Sequence, residues 1–261
     1  MFLYQSAWLQ TKGARSYQED AALICKTAAS DAASASPALL AVLADGMGGH
    51  TGGAIASRTI CEGFVKTYAA DSGAMPERLL TALAASNEAV AEQVTAQPSL
   101  YGMGATLVGA SFGEQGLEWV SVGDSPLFLY RRGEISLLNA DHSMAPALDR
   151  MAAEGKLSVE QARSDPRRHM LRSAVTGEEI ELVDTSEQPL LLHAGDYVIL
   201  ASDGIHVLET SEIARVVAAY GNDGCEALAA ALIRAIEQQR DPHQDNATVI
   251  VIRPIESADS N

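Results

Sequence analysis

The most telling stretch is Ala38-Leu39-Leu40-Ala41-Val42-Leu43-Ala44-Asp45-Gly46-Met47-Gly48-Gly49-His50, where an apolar run ends abruptly on a carboxylate followed by glycines. Residues 38–44 have the length and composition of a buried strand, and Gly46, Gly48 and Gly49 free the backbone to turn tightly and expose its carbonyl oxygens. A hard divalent cation takes such oxygens as ligands. Over this segment alone, a glycine-rich turn after a core strand reads equally well.

The same grammar returns downstream. Asp196-Tyr197-Val198-Ile199-Leu200-Ala201-Ser202-Asp203-Gly204 again runs an apolar strand into Asp-Gly, and Asp245 in Gln244-Asp245-Asn246-Ala247-Thr248-Val249 opens a β-branched run. If these strands pair, Asp45, Asp203 and Asp245 converge. Three carboxylates at one point repel one another unless cations are present, so the cluster implies metal.

Further segments carry a family resemblance: Gly13-Ala14-Arg15-Ser16-Tyr17-Gln18-Glu19-Asp20-Ala21, Gly102-Met103-Gly104-Ala105-Thr106-Leu107, Val122-Gly123-Asp124-Ser125 and Asp141-His142-Ser143. With the three aspartate blocks they stand in the order seen in the metal-dependent protein phosphatases of the PPM, or protein phosphatase 2C, type, and the chain resembles a bacterial member. Seven short motifs in family order are far more specific than any one of them. The resemblance implies a four-layer α-β-β-α sandwich with a flap insertion, about residues 142–177, beside the metal site. It also implies Mg²⁺- or Mn²⁺-dependent hydrolysis of phosphoserine and phosphothreonine in proteins, opposing a bacterial Ser/Thr kinase.

By the same resemblance Asp45 bridges two metals, the Gly46 carbonyl joins one, and Asp203 and Asp245 complete the other, with a bridging water as the attacking group. Asp124 is a candidate ligand of a third metal, though a turn aspartate reads nearly as well. Glu19 and Asp20 would hold metal-bound waters as an outer shell; without the family frame they read as a solvated loop. Arg15 is the candidate phosphate clamp, since a guanidinium matches two phosphoryl oxygens. The expected catalytic pair is therefore Arg15 and Asp45. Animal relatives carry a histidine directly after Asp-Gly where this chain has Met47, which cannot donate a proton. His50 is near, and the general acid is left unassigned. His142 and His169 read as flap or loop histidines.

Composition narrows the class. The 261 residues are 47% hydrophobic and suffice for one substantial core. A single domain is expected over residues 1–254, followed by a short tail over 255–261, and the Ala/Ser-rich stretch from Ala28 to Ala38 reads as a loop between strands. A net charge of −16 argues against nucleic-acid or anionic-membrane partners. The three cysteines Cys25, Cys61 and Cys225 form no CxxC pair and fit a reducing, cytoplasmic compartment. No basic leader or apolar run of spanning length is seen, and a monomer is expected.

Period-two patterning predicts strands near Leu3 to Thr11, Ala21 to Cys25, Ala38 to Ala44, Ala105 to Phe112, Leu117 to Val122, Leu127 to Tyr130, Glu134 to Leu138, Ile180 to Asp184, Tyr197 to Ala201 and Ala247 to Ile252. Glu114-Gln115-Gly116 and Arg131-Arg132-Gly133 read as hairpin turns. Helical spacing covers Ala54 to Ala69, Pro76 to Ala96 and Cys225 to Gln239, and within the flap Met144 to Gly155 and Ser158 to Ser164. Strands clustered with strands and helices in long pairs argue for an α+β fold of face-to-face sheets with helices outside. Arg150, Arg163, Arg167, Arg168 and Arg172 in the flap are candidate substrate contacts, or else solvated helix faces. Two other readings compete: a phosphatase of small phosphoesters, and a catalytically silent member that binds phosphoproteins. The complete aspartate set argues against the silent one.

Overall fold

The structure, a computed structural model, describes residues 2–27, 38–48 and 51–256. In chain order its strands and helices are β1 (Phe2–Thr11), β2 (Ala21–Thr27), β3 (Ala38–Ala44), β4 (Gly46–Met47), α1 (Thr51–Ala70), α2 (Met75–Ala96), β5 (Gly104–Ala105), β6 (Leu107–Gly113), β7 (Gly116–Val122), β8 (Leu127–Arg131), β9 (Glu134–Leu137), α3 (Ala145–Ala153), α4 (Val159–Ser164), β10 (Asp184–Thr185), β11 (Tyr197–Ala201), α5 (Thr210–Tyr220), α6 (Cys225–Gln238) and β12 (Ala247–Glu256). The expected loop before Ala38, the pair Gly49-His50 and residues 257–261 of the expected tail lie outside the described residues, whereas Ile255 and Glu256, assigned to that tail, continue β12 and pair with Leu3 and Phe2.

Two five-stranded sheets, ordered β1-β12-β11-β8-β9 and β10-β7-β6-β3-β2, form with antiparallel pairing throughout. Side chains alternate across each strand, so β3 sends Leu39, Ala41 and Leu43 between the sheets and Leu40, Val42 and Ala44 toward α1 and α2. On β12, Ile250 and Ile252 face the other sheet while Val249 and Val251 face α5 and α6. Burial on both faces explains why these strands read as unbroken apolar runs. Each fully buried leucine in them contributes about 1.5–3 kcal/mol. Helix pair, sheet, sheet and helix pair thus make the expected four layers.

Both hairpins close as their sequences require. Gly113 pairs with Gly116 and Arg131 with Glu134, and Arg132 and Gly133 take φ of 53° and 91°, as a two-residue hairpin loop demands.

Three expectations need correction. The strand drawn from Ala105 to Phe112 is broken at Thr106, whose backbone N–H donates to the Asp45 carbonyl at 2.9 Å. The strand drawn from Ile180 to Asp184 pairs only at Asp184–Thr185, because Ser173 Oγ takes the Leu182 N–H at 3.0 Å and bonds its carbonyl at 2.9 Å. Helix α5 was not expected. It buries only Ile213 and Val217, and its capping box uses Glu209, an unusual residue for that position, with Glu212.

Candidate functional site

The strand ends bring the acidic motifs to one place. Asp45 follows β3, Asp203 follows β11, Asp245 precedes β12 and Asp124 follows β7. All four, with Arg15, Glu19 and Gly46, line one cavity of about 820 Å³. Its opposite wall is the returning limb of the flap, where His169, Arg172 and Thr176 stand.

Close backbone approach explains the glycines. A Cβ on Gly46 would strike the carbonyl oxygens of Gly53 and Glu19, and one on Gly204 would strike that of Asn246. The strand-end loops can meet only where no side chain intervenes. Helix α1 accordingly begins at Thr51, three residues before Ala54, with Gly52 and Gly53 buried in its first turn.

Hydrogen bonds then fix the carboxylates. Thr106 Oγ1 accepts the Asp45 N–H at 3.0 Å and shares a hydrogen bond of 2.7 Å with Ser125 Oγ, so the break in the strand at Thr106 is what holds Asp45. The Asp203 N–H reaches Asp45 Oδ2 at 3.4 Å. Asp20 is 8% exposed. Its Oδ2 accepts from Ser202 Oγ at 2.8 Å and Thr248 Oγ1 at 2.7 Å, while its buried Oδ1 has no hydrogen-bond partner among the described residues. The solvated-loop reading of Asp20 is therefore wrong. Asn246 ties the first and last motifs together: its Oδ1 accepts the Glu19 N–H at 2.8 Å, and its Nδ2 donates to the carbonyls of Lys12 and Tyr17, both at 2.9 Å.

His142 is a loop histidine, as expected. Its Nδ1 accepts the Gly123 N–H at 3.2 Å and its own N–H donates to the Gly123 carbonyl at 3.1 Å, which fixes the turn carrying Asp124. Burial lowers its pKa, so it stays neutral and able to accept. Thr106, Asn246 and His142 all stand in motifs visible in the sequence, where the first two have no evident role and His142 reads only as a flap or loop histidine. A polar residue buried beside an aspartate block was the available signal.

The carboxylates crowd one another. Burial, then the charges of Asp20, Asp203, Asp124 and Asp245, raise the Asp45 pKa well above the carboxylate range. Burial followed by Asp203 and Asp141 lifts Asp124 to about 7. Asp20 rises to about 6, mainly through burial and against the two hydroxyl hydrogen bonds. Asp203 is raised by burial and by Asp245. Asp245 Oδ2 meets Arg15 Nη2 at 2.6 Å, pairing the expected clamp with an expected ligand. As the side chains stand, no three acidic, histidine or thiol groups among the described residues form a ready cage for one ion. The donor set nevertheless fits hard cations: it consists of oxygens, they repel, and a buried oxygen of Asp20 lacks a partner.

The flap arginines divide. Arg167 grips Asp165 through two hydrogen bonds of 3.0 and 2.8 Å, and Arg168 grips Asp149 through two of 2.7 and 2.9 Å. Their guanidinium groups are therefore engaged within the flap, whereas Arg172 lines the cavity.

This architecture, antiparallel sheets meeting at an acidic cavity beside a helical flap, is that of a known family. The protein phosphatase 2C family model matches residues 17–248, and the chain belongs to that family. Serine/threonine protein phosphatase PstP of Mycobacterium tuberculosis is 36% identical over 169 residues, 64% of this chain and 32% of that protein. The chain thus spans about a third of the length of PstP. Protein phosphatase PhpP of Streptococcus pneumoniae is 29% identical over 181 residues, 67% of this chain and 71% of PhpP. Among solved structures, the PstP catalytic domain in complex with two manganese ions superposes with a TM-score of 0.77 at 28% identity, covering 98% of this chain and 100% of that one. Stp1 of Staphylococcus aureus, at TM-score 0.81 and 23% identity over 98% of this chain and 96% of its own, speaks to the fold alone.

Proposed function

We propose that the chain is a Mn²⁺- or Mg²⁺-dependent hydrolase of phosphoserine and phosphothreonine in proteins, opposing a Ser/Thr kinase. The convergence of Asp45, Asp124, Asp203 and Asp245 on one cavity with Arg15 at its wall carries this reading. Asp45 with the Gly46 carbonyl, and Asp203 with Asp245, would hold two cations, Asp124 with Asp203 a third, and Glu19 and Asp20 the surrounding waters. Bound cations supply charge neutralisation for the phosphoryl oxygens and an acidified attacking water. The residues do the rest. Arg15 exchanges Asp245 for two phosphoryl oxygens, Thr106 keeps Asp45 aimed at the cavity, and Asn246 holds the loop of Arg15 and Glu19 against Asp245. Met47 lines the cavity and has no proton to give.

Family membership and the names of the relatives support a protein substrate. A single phosphatase domain suits the two-sheet fold, its last strand running past the expected boundary at 254 to Glu256. Unpaired Cys25, Cys61 and Cys225 accord with a cytoplasmic setting, and among the described residues no helix is long and apolar enough to cross a membrane. The test is hydrolysis of a phosphothreonine peptide by the purified chain with Mn²⁺, with Mg²⁺ and after EDTA. Turnover that needs added metal is expected; full turnover after metal stripping would overturn the reading. Hydrolysis of small phosphoesters but not of any phosphopeptide would transfer it to the small-substrate alternative.

A further inference from the structure

The first sheet ends on β1, and among the described residues the strand order leaves its outer edge without a hydrogen-bonded strand neighbour. Soluble proteins blunt such edges with charge, proline, bulges or short strands. The other sheet edges conform: β9 is four residues long and opens on Glu134, β10 is two residues long, and β2 carries Lys26. β1 does not. Its ten residues, Phe2–Thr11, include no charged residue and no proline, in a chain whose net charge is −16. Its register against β12 runs unbroken from Phe2↔Glu256 to Thr11↔Ala247, so no bulge turns the edge aside. Leu3, Trp8 and Leu9 are 40%, 44% and 41% exposed.

The strand is also complementary to itself. Laid antiparallel on a second copy about Ser6, it sets Leu3 opposite Leu9, Tyr4 opposite Trp8 and Gln5 opposite Ala7, each pair occurring twice. The faces agree: Ala7 and Thr11 lie on the α6 side, where Thr11 Oγ1 bonds Glu237, so Leu3 and Leu9 share that side, while Tyr4 packs between the sheets and Trp8 shares its face. A twofold axis normal to the sheet preserves faces, so only registers shifted by two residues compete. Moving the axis to Gln5 leaves Leu3 opposite Ala7. Moving it to Ala7 leaves Leu9 opposite Gln5 and Trp8 opposite Ser6. The Ser6 register alone among these keeps the partners of Leu3, Trp8 and Leu9 all within β1 and sets the two exposed leucines against each other, the kind of pairing that stabilises sheets.

We propose that the outer edge of β1 is a self-association surface, on which β1 of a second copy pairs antiparallel about Ser6 and joins two five-stranded sheets into one. The occupant is this chain itself, because an uncharged strand is where two strongly acidic copies approach without opposing like charges. The contact is a C2 interface, the same patch on both copies, and lies on a sheet edge outside the cavity-lining residues.

The test is sedimentation velocity of the full chain from about 1 to about 500 µM, spanning the weak affinities expected of a small interface. A reversible dimer is expected. Leu9→Lys should weaken it at least ten-fold, by setting a cation against Leu3. Adding Leu3→Glu should restore it, since each new glutamate then faces the new lysine of the other copy. Hydrolysis of para-nitrophenyl phosphate, expected within about two-fold of the parent in both variants, reports that the fold survives. If Leu9→Lys does not fold, Trp8→Lys takes its place, and at high concentration the outward β1 amides of the parent should gain hydrogen-exchange protection. A monomer throughout the range, or a dimer indifferent to these substitutions, would overturn the proposal.

Discussion

Under the proposed function the Asp245 carboxylate would serve two claims, the guanidinium of Arg15 that it meets at 2.6 Å and a cation. Removing Arg15 frees that carboxylate and deletes a positive charge beside the cavity. Arg15→Ala should therefore lower kcat/KM on a phosphothreonine peptide by roughly ten-fold or more while calorimetric Mn²⁺ affinity holds or tightens. Weaker Mn²⁺ binding would mean that Arg15 supports the ligands instead of competing for one. Asp203→Asn should behave oppositely. Turnover should fall by at least about a hundred-fold through lost metal affinity, yet the metal-free variant should melt no lower than the parent, because burial and Asp245 already hold this carboxyl's pKa up. Thr106 is a third case: it is 3% exposed and its hydroxyl bonds both Asp45 and Ser125. Thr106→Val keeps the shape and strands those partners, at a cost of about 1–3 kcal/mol. Thermal melts and Mn²⁺ titration of this variant should both decline.

Among the elements, the flap shows how far side-chain type predicts role. Five arginines on an acidic chain read as candidate substrate contacts or else solvated helix faces, and a sequence does not say which carboxylate each guanidinium reaches. Arg167 closes on Asp165 only two residues away, and Arg168 on Asp149 nineteen residues back on α3. Arg172 sits on the limb that runs on to Val175, which bridges Ala105. Arg172→Ala should thus impair phosphopeptide hydrolysis more than hydrolysis of para-nitrophenyl phosphate, whereas Arg167→Ala should alter both alike or neither. Equal losses at Arg172 would remove the flap from substrate choice. The strands at the site mark a second boundary of sequence reading. Asp45, Asp203 and Asp245 were legible because each abuts a long apolar run, a signal carried by neighbouring residues. The break at Thr106 and the clamp of Asn246 were not, since both depend on partners 61 and more than 220 residues away.

For the whole molecule, the layers were legible because strands buried on both faces are apolar in unbroken runs, as in β3 and the Val249–Ile252 stretch of β12. Helix α5 went unread although Ile213, Val216, Val217 and Tyr220 recur at helical spacing, and its cap, Glu209, is an unusual residue for a helix start. The crowding of charge also belongs to this scale, since it arises only once distant strands converge. Asp20 rises to about 6 and Asp124 to about 7, with Asp45 and Asp203 raised as well. Unfolding returns all of them to ordinary carboxylate values near 4. Between about pH 4 and 7 the folded chain therefore binds more protons than the unfolded one, and stability contributed by these groups is complete below that window and lost as pH climbs through it. Asp149, held below the ordinary range by Arg168, acts only at lower pH, whereas His142 and His206, lowered by burial, pull the other way in the same window. With four raised carboxyls against two imidazoles, the EDTA-treated protein should melt higher at pH 5.5 than at pH 8. Saturating Mn²⁺ should shrink or invert that difference, because the cation binds the deprotonated carboxylates of the folded state and competes with their protons. Metal-free melting that is flat across the range, or higher at pH 8, would show that the carboxylates do not share one field, and the site inferred from their convergence would fall with it.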